Sequence, residues 1–552
     1  MTEPGTTEAV GDGASDDDRD PRQEEPGQPD DAPRPPDSGR VGREVAGLAR
    51  GGFLNLVASV VNQLVLLALT VFLARRLGRT SAGVYFEAYA FLQVLGLLSL
   101  SGFRAGMTRF VAVSLAERDR PAMRGMVRLG IGITTPVAAL LGGGLAVSAG
   151  WLSQHAFHEP ALVTGLRLVG IALPATSLSN AALSATQGFR TMKPYALVGM
   201  VFEPTLRLVL TLTLVLRGGN VESALLALAI SSWAETIASL VWLKVLMGRA
   251  GGDKPVYQLR RLFGFSTVSW LASLASTGLL WADTLILGIY KTAAQVGLYT
   301  SSTRLVTLAT FVSVPIVASL APRIADLYHR GLFEPLAGVY TASTSWIVRL
   351  SIPAFVVLLV FPHEALRVLY GPRFVAGASV TIILALGSIV DSATGPCGLM
   401  LNMSNRITLS MLDNVGALAL NILLNLVLIP RYGIVGSAIA WAIALVVVNT
   451  ARVIQVRRAL GMLPFEIGSA KGFGAGVASA LAGVAVEVTM RGILGLLVGV
   501  SVVAVTYLIV LSLLGVSDED KMVVTDIVHQ ILPWPRTFVR LNVPDEPAAD
   551  GS

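Results

Sequence analysis

The chain has 552 residues, of which 53% are hydrophobic and 14% charged, and its formal net charge is +6 at pH 7. Soluble proteins carry about a quarter charged residues, so this composition excludes a soluble globular protein and indicates a chain that lies mostly in lipid. The single cysteine, Cys397, excludes an internal disulfide, and the five scattered histidines predict no metal site.

Residues 1–44 differ in composition from the rest of the chain. They are rich in Asp, Glu, Pro and Gly and contain no apolar run, which predicts a disordered acidic segment. We interpret it as a solvated cytoplasmic tail, with a docking segment as the alternative. The first hydrophobic stretch is a full-length span, so no secretory signal is expected.

After this tail the sequence predicts an all-α membrane protein with about fourteen transmembrane helices. Crossing roughly 30 Å of hydrocarbon takes about 20 apolar residues, and period-two alternation is absent, so the spans are expected to be helical. The predicted spans are 52–73, 82–102, 126–150, 161–186, 195–216, 223–247, 262–289, 298–321, 338–361, 376–402, 407–429, 433–455, 472–490 and 493–515.

The chain also repeats itself at a spacing of about 214 residues. Gly83-Val84-Tyr85 returns as Gly297-Leu298-Tyr299, Arg109 returns as Arg323, and the block at 219–224 returns at 433–438. Each copy holds six spans, an even number, so both copies enter the membrane in the same direction. This predicts two six-helix lobes related by a pseudo-twofold axis along the membrane normal, an arrangement that favours transport.

The predicted organisation follows from these boundaries. The N-half comprises residues 45–250, the C-half residues 251–460, two appended spans residues 461–516, and a cytoplasmic C-terminal tail residues 517–552. Basic residues number roughly 19 in the loops on one side and 9 on the other, which places both termini in the cytoplasm. The cluster Arg75, Arg76 and Arg79 falls on the outer side, against this rule.

One run of residues resembles the signature of a known family. Residues 428–438, LIPRYGIVGSA, preceded by Asn421 and Asn425, are similar to the motif of bacterial polysaccharide-biosynthesis flippases of the multidrug/oligosaccharidyl-lipid/polysaccharide exporter superfamily. The segments 283–288, 322–324 and 369–371 agree, and the similarity covers roughly residues 45–460. The same motifs resemble lipid II flippases and, more distantly, multidrug and toxin extrusion antiporters.

The resemblance implies a fold and a function. The fold is a two-lobed, V-shaped bundle with a central polar cavity. The function is to flip a polyprenyl-pyrophosphate-linked oligosaccharide from the inner to the outer leaflet of the bacterial cytoplasmic membrane by alternating access. Its partners would be that glycan lipid, membrane lipids, and the glycosyltransferases and polymerase of the same pathway.

Ionisable residues inside the spans are the candidate functional residues, because each costs about 2.5–3.5 kcal/mol near the bilayer centre. Glu203 and Arg207 are four residues apart on one helical face and are expected to pair, with Glu235 at a similar depth on the next span. Asp283 and Arg304 lie at matched depths across a hairpin, which predicts an interhelical ion pair. The structural alternative is that these groups only neutralise one another.

The functional interpretation is that Arg207, Arg304 and Arg349 point into the cavity and bind the pyrophosphate, since an Arg fork matches phosphate oxygens. Arg349 has no carboxylate nearby in sequence and is the first candidate.

Three further arginines, Arg104, Arg109 and Arg323, lie at the inner ends of spans 2 and 8. They are expected either to receive the anionic headgroup or to anchor helix ends at anionic lipid.

Few residues are candidates for coupling transport to an ion gradient, and none for catalysis. The carboxylates Asp283, Glu203, Glu235 and Asp391 are each possible proton or Na⁺ sites, and Gly395-Pro396 beside Asp391 is a candidate hinge. No phosphate-cradling Gly-x4-Gly-Lys loop and no catalytic arrangement is visible, so we expect neither an enzyme nor a cofactor.

Three alternatives to this function remain. The first is a lipid II-type flippase, which the same motifs resemble. An antiporter for cationic drugs would have a carboxylate-dominated cavity. A membrane glycan polymerase or ligase would need an outer catalytic loop, for which only His363 and Arg367 qualify.

Overall fold

The computed structural model describes residues 38–100, 102–248, 254–257 and 259–515. Within these ranges all regular structure is helical, which confirms the predicted all-α class. Most of the predicted N-terminal tail (residues 1–37) and the C-terminal tail from residue 517 lie outside the described residues. Contacts divide the chain into two units, Met1–Arg50 and Gly51–Ser552, and every site described below lies within the second.

Sixteen α-helices follow one another along the described chain, with short π-helical or 3₁₀ segments at Leu152–Ala156, Tyr195–Phe202, Phe311–Ser313 and Pro372–Gly377. They are α1 (Ser38–Leu100), α2 (Phe103–Ala116), α3 (Arg120–Trp151), α4 (Leu162–Gly188), α5 (Glu203–Leu216), α6 (Val221–Gly248), α7 (Leu259–Tyr290), α8 (Ala293–Thr310), α9 (Val314–His329), α10 (Phe333–Val360), α11 (Pro362–Tyr370), α12 (Ala378–Thr394), α13 (Cys397–Met403), α14 (Ile407–Leu460), α15 (Ile467–Thr489) and α16 (Gly492–Leu513).

Local sequence sets where several of these helices begin and end. Asp119 precedes α3 and accepts the amide of Ala122 at 2.9 Å, which satisfies one of the free donors of the first turn. The candidate hinge at Gly395-Pro396 is a break between α12 and α13, and Gly395 has φ 60°. Only glycine adopts this conformation readily, and a Cβ there would collide with Thr344.

Eleven helices in the described part of the chain are long and apolar enough to cross a membrane. Two of them, Leu54–Leu100 and Ile407–Leu460, have 47 and 54 residues, roughly twice what one crossing requires. Each turns at one non-helical glycine, Gly78 or Gly433. The predicted span 298–321 is divided into α8 and α9 and is not among the eleven, so the count of fourteen stays a prediction.

Small residues allow the helices to approach closely. In the N-half, a Cβ at Gly142 of α3 would collide with the carbonyl oxygen of Gly170 on α4. The appended helices α15 and α16 pack on α10 through a cluster that includes Ile352, Ala475 and Val503. The C-half is therefore covered on this side by helices for which the N-half has no counterpart in the predicted repeat.

The two halves meet at a pair of contacts that follow the internal repeat. A Cβ at Gly83 on α1 would collide with the carbonyl of Ala293 on α8, and a Cβ at Gly297 would collide with the carbonyl of Arg79. Gly83 and Gly297 are 214 residues apart, and so are Arg79 and Ala293. The two contacts are thus equivalent under the predicted twofold relation, and we call them the glycine seam.

The glycine seam lies toward one end of the bundle. Gly78 at the turn of α1, Gly371 after α11 and Gly433 at the turn of α14 mark this end, which we call the Gly78 face. It is the face that the distribution of basic residues predicts to be outside. Arg104 and Arg109, at the start of α2, mark the opposite end, the Arg104 face.

Candidate functional site between the two halves

The central site lies between α1, α5 and α8, just inside the glycine seam. Arg207 of the N-half and Arg304 of the C-half line the same cavity, as the sequence predicts. The cavity measures about 10 Å³, room for no more than one water molecule. Its other lining residues are apolar, aromatic or hydroxyl-bearing: Leu66, Leu69, Thr70, Tyr85, Phe86 and Tyr89.

Aromatic rings connect the two guanidinium groups across the halves. The Arg207 guanidinium lies over the ring of Tyr89, 5.3 Å from its centroid, and that of Arg304 lies over Trp281 at 5.2 Å. Tyr89 and Trp281 contact each other edge to face at 5.3 Å. Cation–π contacts of this kind contribute about 0.5–2 kcal/mol each, so the rings hold both cations in place without neutralising them.

Glu203 is the ion-pair partner of Arg207. The Arg207 Nη2 and Glu203 Oε2 atoms lie 3.5 Å apart, which confirms the predicted pair. Arg207 is 3% exposed and its Nε has no hydrogen-bond partner among the described residues. The other oxygen of Glu203 accepts the hydroxyl of Ser231 at 2.9 Å. Glu235 lies beside the π-helical segment before α5, close enough to interact with both members of the pair.

Asp283 does not pair with Arg304, which corrects the predicted interhelical ion pair. Its carboxylate accepts the Tyr299 hydroxyl at 2.5 Å and the Asn425 amide at 2.7 Å, and its side chain is 3% exposed. Asn425 in turn donates to Asn421 at 3.1 Å. Asp283 faces α14, whereas Trp281, two residues earlier on α7, lies against Arg304.

Arg349, the first candidate for the cavity, does not line the central site. Its Nε donates to the carbonyl of Gly468 at 3.3 Å, and its own carbonyl accepts the Tyr507 hydroxyl at 3.0 Å. These partners belong to α15 and α16. The side chain that lacked a carboxylate partner in sequence is therefore packed against the appended helices.

The three headgroup candidates divide into two groups. Arg104 and Arg109 line a cavity of about 600 Å³ between α2 and α7, together with polar residues such as Ser273 and Thr277. Arg104 also donates to the Tyr195 hydroxyl at 3.0 Å. Arg323 is exposed on α9 and does not line this cavity. The remaining carboxylate, Asp391, accepts the Asn449 amide at 2.7 Å in the C-half.

Sequence reasoning missed the aromatic residues of the site and one buried carboxylate. Tyr85 stands in the repeated block itself, which was the available signal for it. Glu87 on α1 is 1% exposed, and its Oε2 has no hydrogen-bond partner among the described residues. A Cβ at Gly288 of α7 would lie 3.2 Å from the Glu87 carboxyl carbon, so Glu87 is buried against the C-half.

Two known proteins are similar to this chain over about three quarters of its length. The chain is 25% identical over 406 residues to the probable low-salt glycan biosynthesis flippase Agl15 of Haloferax volcanii, covering 72% of this chain and 81% of that protein. It is 24% identical over 445 residues to stage V sporulation protein B of Bacillus subtilis, covering 74% of this chain and 84% of that protein.

Solved structures show the same fold. The lipid II flippase MurJ in an inward closed conformation matches with a TM-score of 0.69 and 13% identity, over 84% of this chain and 98% of that one. An inward-facing multidrug resistance MATE family transporter of the MOP superfamily matches with a TM-score of 0.59 and 15% identity, over 74% and 98%. At these identities the likeness shows the fold alone.

The family itself is shown by the sequence. The profile described as polysaccharide biosynthesis protein matches residues 48–328, just over half of the chain. The match agrees with the resemblance of the motifs, with the helical membrane fold and with the relatives above. The chain is therefore a multi-pass membrane protein that belongs to the polysaccharide biosynthesis protein family.

Proposed function

We propose that this protein flips a polyprenyl-pyrophosphate-linked oligosaccharide from the inner to the outer leaflet of the bacterial cytoplasmic membrane. Both termini are cytoplasmic in this proposal, and the Gly78 face is outside. The observation that carries it is the convergence of Arg207 and Arg304, one from each half, on one site between the halves. The relative named as a probable glycan biosynthesis flippase supports it.

The chemistry of the site suits a diphosphate. Guanidinium groups donate in a fork that matches phosphate oxygens, and they stay charged when buried. One of the two arginines is paired with Glu203, whereas Arg304 lies over the Trp281 ring and has no ion-pair partner among the described residues. Since no carboxylate lines the central cavity in the described part of the chain, the site favours an anionic cargo over the cationic drug of the antiporter alternative.

Alternating access requires the halves to move. With about 10 Å³, the central cavity admits no sugar, and the glycine seam joins the halves on the Gly78 face. On the Arg104 face, the cavity of about 600 Å³ lined by Arg104 and Arg109 is large enough for a headgroup. The cargo is therefore received at the Arg104 face, passes to Arg207 and Arg304 as the halves separate, and leaves after the glycine seam opens.

Asp283 is the coupling site in this proposal. Its carboxylate is buried, and its hydrogen-bond partners among the described residues are neutral groups from α8 and α14. A proton or a Na⁺ ion would bind there without displacing an ion-pair partner. Glu203 has Arg207 as its partner, and Asp391 is exposed, so both are less suited to this role.

Flipping in proteoliposomes tests the proposed function. Purified protein is reconstituted with a fluorescent polyprenyl-pyrophosphate-linked oligosaccharide, and access of a membrane-impermeant quencher to each leaflet reports flipping. Arg304→Gln should slow flipping about 10- to 100-fold, since hydrogen bonds to charged groups contribute about 1.5–3 kcal/mol. The matched control is Arg491→Gln, an exposed arginine between α15 and α16.

Three results would contradict the proposal. The first is flipping by Arg304→Gln at the wild-type rate. The second is a wild-type protein that exports cationic dyes and does not flip the glycan lipid. The third is elongation of the glycan by the purified protein, which would indicate a polymerase.

A further inference from the structure

A second cavity lined by arginines lies on the Gly78 face. It measures about 480 Å³ and is bounded by α1 near Gly78, by the end of α11 and by the 3₁₀ segment Pro372–Gly377. Arg75, Arg367 and Arg373 line it together with Tyr370. We call it the arginine vestibule. A volume of this size is ordinary for a site that binds a small ligand, for which about 300–1,000 Å³ is typical.

One of the three arginines is fixed by the fold, and the other two are free to bind. Arg75 donates from Nε to the carbonyl of Leu369 at 2.7 Å and from Nη2 to the carbonyl of Val368, which caps the carboxyl end of α11. Arg367 and Arg373 are exposed. None of the ion pairs found among the described residues involves these three arginines, so their charge is not neutralised by a neighbouring carboxylate.

Tyr370 packs beneath these arginines: it lines the arginine vestibule and is 1% exposed. Tyr370 is also close enough to Arg304 to interact with it electrostatically, so it lies between the arginine vestibule and the central site.

The distribution of basic residues along the chain is a further reason to expect an anionic ligand in the arginine vestibule. Basic residues normally concentrate on the cytoplasmic side, and Arg75, Arg367 and Arg373 all lie on the face predicted to be outside. Membrane topology therefore does not explain these arginines, whereas a ligand with several negative charges does.

We propose that the arginine vestibule binds the diphosphate of the cargo on the release side, after it has left Arg207 and Arg304. This inference rests on the proposed function. The diphosphate would contact Arg367 and Arg373, with Arg75 fixed behind them. A second positively charged site lowers the barrier for the diphosphate to leave the central site, because its negative charge is close to arginines at every step. Acidic phospholipid headgroups share this phosphate chemistry, so the test separates the two sources.

Binding of inorganic pyrophosphate to the full-length protein tests the inference. The protein is placed in phosphatidylcholine nanodiscs and titrated by calorimetry. Arg367→Gln combined with Arg373→Gln should weaken binding at least about tenfold, the loss expected for two charge-assisted hydrogen bonds. The matched control, Arg217→Gln combined with Arg491→Gln, removes two exposed arginines from loops of the same predicted face that lie outside the cavity and should leave affinity unchanged.

The outcomes separate the possibilities. Equal weakening in both double variants, or no weakening in Arg367→Gln/Arg373→Gln, overturns the inference. Adding phosphatidylglycerol to the nanodiscs identifies the source: if it abolishes pyrophosphate binding by the wild type, an acidic lipid occupies the cavity and the cargo assignment fails. Retained binding supports the cargo.

Flipping by the same variants separates this inference from the proposed function. If Arg304→Gln loses flipping while Arg367→Gln/Arg373→Gln binds pyrophosphate normally, the inference alone fails. If the wild type does not flip the glycan lipid but binds pyrophosphate through Arg367 and Arg373, the proposed function alone fails. Thermal unfolding followed by circular dichroism establishes that every variant is folded.

Discussion

The residues around Arg207 in the N-half and those around Asp283 in the C-half occupy equivalent places in the repeat but differ in charge. Three pairs of counterparts are each 214 residues apart: Leu69 and Asp283, Tyr85 and Tyr299, Arg207 and Asn421. Tyrosine occupies the second pair of positions in both halves. Where the N-half has Arg207, the C-half has the amide Asn421, and where the N-half has Leu69, the C-half has the carboxylate Asp283. At these equivalent positions, the duplicated backbone therefore carries an arginine in one half and a carboxylate in the other.

The two halves also stabilise their buried charges by different means. In the N-half, Arg207 has a charged partner one helical turn away. In the C-half, Asp283 is held by a hydroxyl and an amide, and Arg304 by an aromatic ring. The glycine seam, in contrast, is the same in both halves, because backbone packing depends on small residues rather than on charge.

The largest effect on stability should come from breaking the charged pair. Arg207→Gln leaves Glu203 buried without its cation, which costs about 3–5 kcal/mol. Asp283→Asn, the matched change in the C-half, should cost about 1–3 kcal/mol, since only hydrogen bonds to neutral groups are lost. The free energy of unfolding in detergent measures both. Glu203→Gln combined with Arg207→Gln should recover most of the loss, and equal costs for Arg207→Gln and this double variant would contradict the pairing.

An intermediate effect is expected at the glycine seam, where the halves are alike. Gly83→Ala and Gly297→Ala each force the opposing carbonyl to move, at a cost of about 1–3 kcal/mol, and the two costs should be similar. Opening of the seam is measured by labelling Leu69→Cys with an impermeant maleimide in a Cys397→Ser background. Gly96→Ala is the control, because its Cβ would meet only Leu173 Cδ1 at 3.8 Å. Faster labelling in the control than in the seam variants would refute the assignment.

The smallest effect on the rate of flipping is expected for Arg349→Gln. The variant loses the hydrogen bond from the guanidinium to the carbonyl of Gly468, which contributes about 1.5–3 kcal/mol to stability, and should flip the glycan lipid at a rate close to that of the wild type. Thermal unfolding and the flipping assay measure the two quantities. A loss of flipping as large as that of Arg304→Gln would show that Arg349 reaches the cargo in another conformation.

The pairs that could be predicted from sequence are the local ones. Glu203 and Arg207 lie on one helix, where a spacing of four fixes their distance whatever the rest of the fold does. Asp283 and Arg304 lie on two helices, and matched depth left the rotation of each helix open. That rotation is set by packing against α14, which turns Asp283 toward Asn425 and leaves Trp281 to contact Arg304.

The helical membrane fold, the family and the 214-residue repeat could all be predicted from the sequence, because hydrophobic run length and internal similarity are properties of the chain alone. Which arginines share a cavity is visible only in the folded molecule. Arg349 is as deep as Arg207 in sequence terms, yet α15 and α16 cover it, while Arg75, Arg367 and Arg373 come together from segments almost 300 residues apart. Which helices become neighbours depends on packing between helices, and spacing along the chain does not encode it.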